Sequence, residues 1–145
     1  MAFVKTAYDI SRKKVYFCSA SDLLPDIART MYTQNIGSIL VKEGNELKGI
    51  ITVNDLLRQM NKKNTYEKKA RDIMSSPVVT ASKDLEIDEL VDKFNKYKVS
   101  RMVLLDGNKI VGVVRDIAVY KYMTFFKYDR EARAMFARDY LHKLY

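Results

Sequence analysis

Thr52 and Asp55, in the stretch "TVND", are the side chains of this sequence whose spacing is best suited to binding chemistry. They follow an apolar run, Gly49 to Ile51, that predicts a strand, and a helical pattern begins directly after Thr52. A spacing of three residues lets both side chains face the same space at the start of a helix. A carboxylate there can accept hydrogen bonds from both hydroxyls of a ribose, and the hydroxyl can bond a phosphate or sugar oxygen. The same pattern is typical of a helix cap, and the residues alone leave both interpretations open.

The stretch "GIITVND", from Gly49 to Asp55, returns as "GVVRDIA", from Gly112 to Ala118. The offset between Gly49 and Gly112 is 63 residues, and it aligns much of the chain without a gap. Identical pairs at this offset are Ala7 and Ala70, Asp9 and Asp72, Ile10 and Ile73, Val15 and Val78, Ser19 and Ser82, Gly44 and Gly107, Asn45 and Asn108, and Met60 and Met123. The polar pair is lost in the second copy, where Arg115 replaces Thr52 and Ala118 replaces Asp55.

Each copy predicts a strand, a helix, two strands and a second helix. Apolar residues recur at helical spacing in both copies, and "EGN" and "DGN" supply residues that tolerate the positive φ of a tight hairpin. A unit of about sixty residues that exposes one sheet face usually needs a partner to cover it. We therefore expect an α/β (α+β) fold, with two pseudo-twofold-related β-α-β-β-α repeats packed sheet to sheet. The expected bounds are 5–62 and 67–123, followed by a C-terminal helical tail over 124–145.

The predicted tail carries an apolar stripe of Ala132, Phe136, Tyr140 and Leu144 at i, i+4 spacing, with Asp129 able to cap the helix. The stripe could fold back onto the core of the chain or form a homodimer or partner contact. The sequence does not separate these two alternatives.

Composition argues against most catalytic classes. The chain has 145 residues, a single cysteine and a single histidine, so Cys18 and His142 cannot furnish an ordinary zinc cage. Cys18 lies in the apolar stretch "VYFC", which favours a packed thiol over a nucleophile. No nucleophile-base pair, metal cluster or phosphate-cradling Gly-rich loop is apparent, so we expect no enzyme, no catalytic cofactor and no metal. Without a signal peptide or an apolar run of about 18 residues, a cytoplasmic location is expected.

The net charge of +8 raises the alternative of a nucleic-acid-binding protein. The charge is dispersed, however, and its densest stretch, Arg58 to Arg71, has the composition of a solvated connector. The sequence also lacks a helix-turn-helix signature, a zinc motif and an aromatic strand of the kind that binds RNA. Nucleic-acid binding is therefore kept as the alternative function, beside a structural dimerisation module with vestigial clefts.

The two tandem units resemble a pair of CBS domains, a Bateman module of the stand-alone type. The resemblance covers about residues 5 to 123 and is carried by "RDIMSSPVVTASKD", "NIGSILV", "KVSRMVLLDGNKIVGVV" and "LKGIITVNDLL", in the right order. It implies a regulatory module that binds an adenine nucleotide (AMP, ADP or ATP) or S-adenosylmethionine in clefts between the repeats. It also implies a homodimer and a regulated protein partner that the sequence does not identify.

Carried onto this sequence, the resemblance implies one complete site. Its residues would be Thr52, Asn54, Asp55, Ser75, Pro77, Val79, Val99, Ser100 and Arg101. Val79 and Val99 would hold the base, and Arg101 would meet phosphate, a task suited to its planar set of donors. Judged without the family, Arg101 could equally form a surface salt bridge.

The equivalent second cleft departs from the pattern. Its residues would be Arg12, Lys14, Tyr16, Ile36, Gly37, Ser38, Arg115, Ile117 and Ala118. Ala118 cannot hold a ribose, Tyr16 could fill the base slot or stack on a base, and the basic residues could attract phosphate. We expect this cleft to be empty or to bind anions weakly, with an adenine ligand in an altered pose as the alternative.

Overall fold

The computed structural model describes residues 6–124 and contains the predicted order of elements twice. Of the predicted tail over 124–145, residues 125–145, which include His142, lie outside the described residues. The strands and helices of the first copy are β1 (Phe17–Ser19), α1 (Leu24–Thr33), β2 (Ser38–Glu43), β3 (Glu46–Thr52) and α2 (Val53–Gln59). A four-residue helix, α3 (Ala70–Ile73), precedes the second copy, whose elements are β4 (Thr80–Ser82), α4 (Ile87–Tyr97), β5 (Arg101–Asp106), β6 (Lys109–Arg115) and α5 (Asp116–Tyr122).

Each copy forms a three-stranded mixed sheet, which confirms the expected fold class. The strand orders are β1-β2-β3 and β4-β5-β6, with a parallel first pair and an antiparallel hairpin in each sheet. The hairpin turns contain Gly44 at φ +61° and Gly107 at φ +59°, the left-handed conformation that "EGN" and "DGN" predicted.

The helices pack on their sheets through the faces that the periodicity indicated. Leu24, Ile27 and Met31 are buried on α1, and a matching apolar face is buried on α4. Tyr97 continues this helical spacing three residues after Phe94, but it is 45% exposed, and Lys96 Nζ lies 5.3 Å from its ring centroid. The last turn of α4 therefore leaves the core, which ends with Phe94.

The segments that lead into the two copies are exchanged between the two sheets. The first lead-in (residues 6–14) bonds to the second copy, with Ala7 N donating to Leu85 O at 2.8 Å. The second lead-in (residues 70–78) bonds to the first copy, with Ala70 N donating to Asp22 O at 2.8 Å. The described residues accordingly form two compact units, one comprising Val15–Val78 and the other comprising 6–14 with 79–124. Each compact unit therefore contains the sheet of one copy together with the lead-in of the other copy.

Each unit has its own apolar core. One core gathers buried residues of the first copy with Ala70 and Ile73 of the second lead-in. The other gathers buried residues of the second copy with Ala7 of the first lead-in, and it includes Met123, which is only 4% exposed. Met123, the last residue of the predicted second repeat, therefore belongs to the core. None of the helices in residues 6–124 has the length and apolar character needed to cross a membrane.

Candidate functional site

The carboxylate of Asp55 is buried and held in place by Thr52. Asp55 is 5% exposed, and its Oδ2 accepts hydrogen bonds from Thr52 N at 2.7 Å and from Thr52 Oγ1 at 3.0 Å. In return, Thr52 Oγ1 accepts a longer bond from Asp55 N at 3.4 Å, which completes a reciprocal capping box at the start of α2. The cap interpretation of "TVND" is therefore confirmed.

The other oxygen of this carboxylate faces Arg58, a residue that the sequence analysis missed as part of the site. Arg58 Nη2 donates to Asp55 Oδ1, and the Arg58 side chain is 67% exposed while that of Asp55 is 6% exposed. The signal available in the sequence was the i, i+3 spacing of the two residues on a predicted helix. One carboxylate oxygen of Asp55 is thus hydrogen-bonded within the helix cap, and the other is hydrogen-bonded to a solvent-exposed side chain.

This division leaves limited capacity for a ligand. Each carboxylate oxygen has about two lone-pair sites, and two donors from Thr52 occupy those of Oδ2. Oδ1 retains one site while Arg58 is bound and two when Arg58 turns away. A pair of ribose hydroxyls needs two acceptor sites, so both could donate to Oδ1 only after Arg58 has left it.

The second copy has no equivalent arrangement. Arg115 occupies the N-cap position of α5 and its side chain makes no capping hydrogen bond. Asp116 Oδ1 instead accepts from the backbone N–H of Ile117 at 2.7 Å, while Ala118, at the position of Asp55, has no polar side chain. The buried, doubly held carboxylate is therefore specific to the first copy in residues 6–124.

The remaining residues predicted for the complete site divide between the two units. In the unit Val15–Val78, Ser75 pairs with Ile50 through Ser75 N to Ile50 O at 2.9 Å, which places the second lead-in beside β3 and close to Thr52 along the strand. Asn54 and Pro77 are exposed in that unit. The residues Val79, Val99, Ser100 and Arg101 lie in the other unit, where the two valines pack against the core and Ser100 O accepts from Asp116 N at 3.0 Å.

The residues predicted for the second cleft divide in the same way. Arg12, Lys14, Arg115, Ile117 and Ala118 lie in one unit; Tyr16, Ile36, Gly37 and Ser38 lie in the other. Tyr16 packs against the core of its own unit, and its hydroxyl donates to Gln34 Oε1 at 3.2 Å. Its ring is therefore already engaged, which reduces the surface that it can offer to a base.

Cys18 has the properties of a packed thiol. Burial, with the negative charge of Asp22 as a second cause, raises its pKa to about 11. The thiolate form that a nucleophile requires is therefore disfavoured at neutral pH. Within residues 6–124, no group of three His, Cys, Asp or Glu side chains could hold a metal ion.

Comparison with protein families gives two matches along the chain. The family model for the CBS domain matches residues 7–62 and residues 70–124. Among curated proteins, the chain is 36% identical over 110 residues to uncharacterized protein MK0525 of Methanopyrus kandleri, covering 73% of this chain and 56% of that protein. The chain thus spans little more than half the length of this relative.

Solved structures match the same architecture. The CBS domain pair of protein MJ0100, in complex with 5-methylthioadenosine and S-adenosyl-L-methionine, is 25% identical with a TM-score of 0.69, and the match covers 81% of this chain and 94% of that one. CBSX2 in complex with AMP is 18% identical with a TM-score of 0.68, and the match covers 85% of this chain and 98% of that one. The second of these supports the fold alone.

Proposed function

Because this chain belongs to the CBS-domain family, we propose that it is a non-catalytic regulatory module that binds an adenosine-containing ligand. In this proposal Asp55 Oδ1 accepts hydrogen bonds from the ribose hydroxyls, while Oδ2 stays bonded to Thr52. The observation that carries the proposal is the buried carboxylate of the first copy, whose Oδ1 is bonded only to the exposed Arg58 among residues 6–124.

One solved neighbour supports the ligand class. The MJ0100 pair is in complex with 5-methylthioadenosine, which is a thioether, and with S-adenosyl-L-methionine, which is a sulfonium compound. The other residues predicted for the complete site remain part of the proposal, as do a homodimer and a regulated protein partner. Ligand binding would regulate that partner only if the ligand binds two states of the module with different affinities.

Calorimetric titration with AMP, ADP, ATP and S-adenosylmethionine tests this function on the parent protein and on Asp55→Asn. The asparagine carbonyl can replace Oδ2 as the acceptor for Thr52, so the cap is preserved while the charged acceptor for ribose is lost. We expect at least one compound to bind the parent and to bind Asp55→Asn at least about tenfold more weakly, since hydrogen bonds to a charged group contribute roughly 1.5–3 kcal/mol each.

The matched control is Asp116→Asn, which makes the same change at the start of α5 and should leave affinity unaltered. The proposal is wrong if no adenosine compound binds the parent or if Asp55→Asn binds as tightly as the parent.

A titration with single-stranded RNA tests the alternative function. Binding of RNA that falls steeply with salt, in the absence of nucleotide binding, would favour the nucleic-acid alternative.

Arg58→Met is expected to increase the affinity for the adenosine ligand by about two- to fivefold. The substitution removes the donor that competes for Asp55 Oδ1. The Arg58 side of this pair is 67% exposed, so water screens the interaction and its contribution is about 1 kcal/mol. For the same reason, the free energy of unfolding should change by less than about 1 kcal/mol. The measurement is the same titration, with urea denaturation for stability.

A suitable control for Arg58→Met is Arg29→Met, because Arg29 also forms an i, i+3 pair, with Asp26 at 3.7 Å, and is 74% exposed. Arg29→Met should leave ligand affinity unchanged. A decrease in affinity for Arg58→Met would contradict the competition and would indicate that Arg58 contacts the ligand instead.

A further inference from the structure

The second lead-in is attached to the first copy at two points. At one of them, Ala70 N donates to Asp22 O at 2.8 Å, and the side chain of Ala70 is fully buried in the core of that unit. At the other, Ser75 N donates to Ile50 O at 2.9 Å, and Ile50 N donates to Ser75 O at 3.1 Å. The second lead-in is therefore an integral part of the unit that contains the first copy.

The first lead-in is attached to the second copy in the same way. Ala7 N donates to Leu85 O at 2.8 Å, and Ala7 is fully buried in the core of the other unit. Arg12 and Val113 exchange two backbone hydrogen bonds, both of 2.9 Å. These attachment points occupy the same positions of the 63-residue repeat as those of the second lead-in, so the exchange is reciprocal.

Both lead-ins pack closely against a glycine of the strand that they join. A Cβ at Gly112 of β6 would lie 2.9 Å from Ser11 Oγ and 3.0 Å from Arg12 O. A Cβ at Gly49 of β3 would lie 2.5 Å from Met74 Sδ. Such distances are too short for a side chain, so glycine leaves the room that the lead-in occupies. Each lead-in is therefore in direct van der Waals contact with its host strand.

The connector tip, defined as residues 61–64 between α2 and α3, is exposed along its whole length. Lys62 N donates to Gln59 O at 3.0 Å, and Thr65 Oγ1 donates to Lys62 O at 2.7 Å, so each of these bonds spans three residues. Exposed loop tips are preferred sites of proteolytic cleavage. A cut after Lys63 would leave the attachments of both lead-ins intact.

Such a cut would divide the chain into two half-chains, one ending at Lys63 and the other beginning at Asn64. The first half-chain would contribute 15–63 to one unit and its lead-in to the other unit, and the second half-chain would make the reciprocal contribution. The half-chains would separate only after both lead-ins had left their sites. While one lead-in stays bound, the other rebinds at a high effective concentration.

We propose that the surfaces that receive the lead-ins form a protein–protein interface whose partner is the complementary half-chain. The partner is recognised by backbone hydrogen bonds on β3 or β6, by close contact with a glycine and by one buried alanine. The connector is then a tether, and the module persists when it is cut. One extension rests on the proposed function: the cut module keeps its affinity for the adenosine ligand, because both units remain complete.

The test uses the full chain with a specific protease site inserted between Lys63 and Asn64. After complete cleavage, we expect both half-chains to elute together from a gel-filtration column at micromolar concentration, since each unit still contains the sheet of one copy and the lead-in of the other. The melting temperature of the cut module should rise with concentration more steeply than that of the uncut chain. Separate elution of the half-chains would overturn the proposal.

Ala7→Leu in the cut module tests the role of the first lead-in. The larger side chain overpacks a fully buried position, so we expect the dissociation constant of the half-chains to rise at least about tenfold. The control, Lys13→Leu, places the same side chain at an exposed position of the same lead-in and should change that constant less than about twofold. Circular dichroism of the uncut Ala7→Leu chain verifies that it folds. Equal dissociation constants for Ala7→Leu and the parent would overturn the interface.

Calorimetric titration of the cut and uncut modules with the same four adenosine compounds tests the extension, and we expect the affinities to agree within about twofold. Loss of binding on cutting, with both half-chains still together, would overturn the extension. Co-elution of the half-chains, without binding of any adenosine compound to either form, would support the interface and overturn the proposed function.

Discussion

Gly49→Ala is expected to lower the free energy of unfolding by about 3 kcal/mol, as an overpacked buried site does. A Cβ at this position would lie 2.5 Å from Met74 Sδ, 2.7 Å from Met74 Cγ and 2.9 Å from Met74 Cβ. The Met74 sulfur can rotate away from the added methyl group, but Met74 Cβ can move only if the backbone at Met74 moves. That backbone is fixed, because the adjoining Ser75 exchanges two hydrogen bonds with Ile50. The second lead-in would therefore have to separate from β3, which denaturant unfolding followed by circular dichroism would detect.

Gly44→Ala provides the comparison for this effect. Gly44 has φ +61° and no atom within 4 Å of an added Cβ, so only backbone strain of about 1 kcal/mol is expected. A cost for Gly49→Ala no larger than that for Gly44→Ala would exclude the close contact as its cause. In a Met74→Ala background, where two of the three close atoms are gone, Gly49→Ala should cost less than in the parent.

The role of Gly49 also shows what the sequence could predict. The repeat, the apolar pattern and the glycine-containing hairpins were sufficient to predict the elements of each copy. They could not identify the segment that packs against Gly49, because Ser75 pairs with Ile50 through backbone atoms that carry no side-chain signature. For the same reason, the 63-residue repeat does not indicate that each lead-in bonds to the sheet of the other copy.

The candidate site was predictable to a similar depth. The spacing of Thr52 and Asp55 indicated either a cap or a ligand contact, and the structure contains the cap. The spacing could not indicate which partner each carboxylate oxygen of Asp55 bonds, because this depends on the side-chain position of Arg58. Arg101 and Arg115 are neighbours because of the register of β5 and β6. Two residues that are 14 apart in sequence cannot be recognised as a cross-strand pair until the register of the hairpin is known.

Asp55→Ala is expected to lower the free energy of unfolding by about 2–4 kcal/mol, although the residue lies at a candidate ligand site. The substitution removes the cap of α2, an effect of about 0.5–2 kcal/mol, and deprives the backbone N–H of Thr52 of its acceptor, at about 1–3 kcal/mol. The control Asp116→Ala loses one local bond to Ile117 N at the start of α5 and should cost less than about 1 kcal/mol. Urea denaturation of both variants gives the comparison, and equal costs would contradict a special structural role for the Asp55 carboxylate.

This expected loss of stability determines how binding data on Asp55 can be interpreted. An alanine variant that fails to bind could have lost the ribose acceptor or the shape of the α2 start, because Thr52 and Asp55 hold each other in place. Asp55→Asn separates the two causes, since its carbonyl can keep the bonds from Thr52 while its amide replaces the oxygen that faces Arg58. We expect Asp55→Asn to unfold at a urea concentration closer to that of the parent than Asp55→Ala does, yet to share its weak ligand binding. If instead affinity follows stability across the parent, Asp55→Asn and Asp55→Ala, the carboxylate acts on the ligand only through the fold.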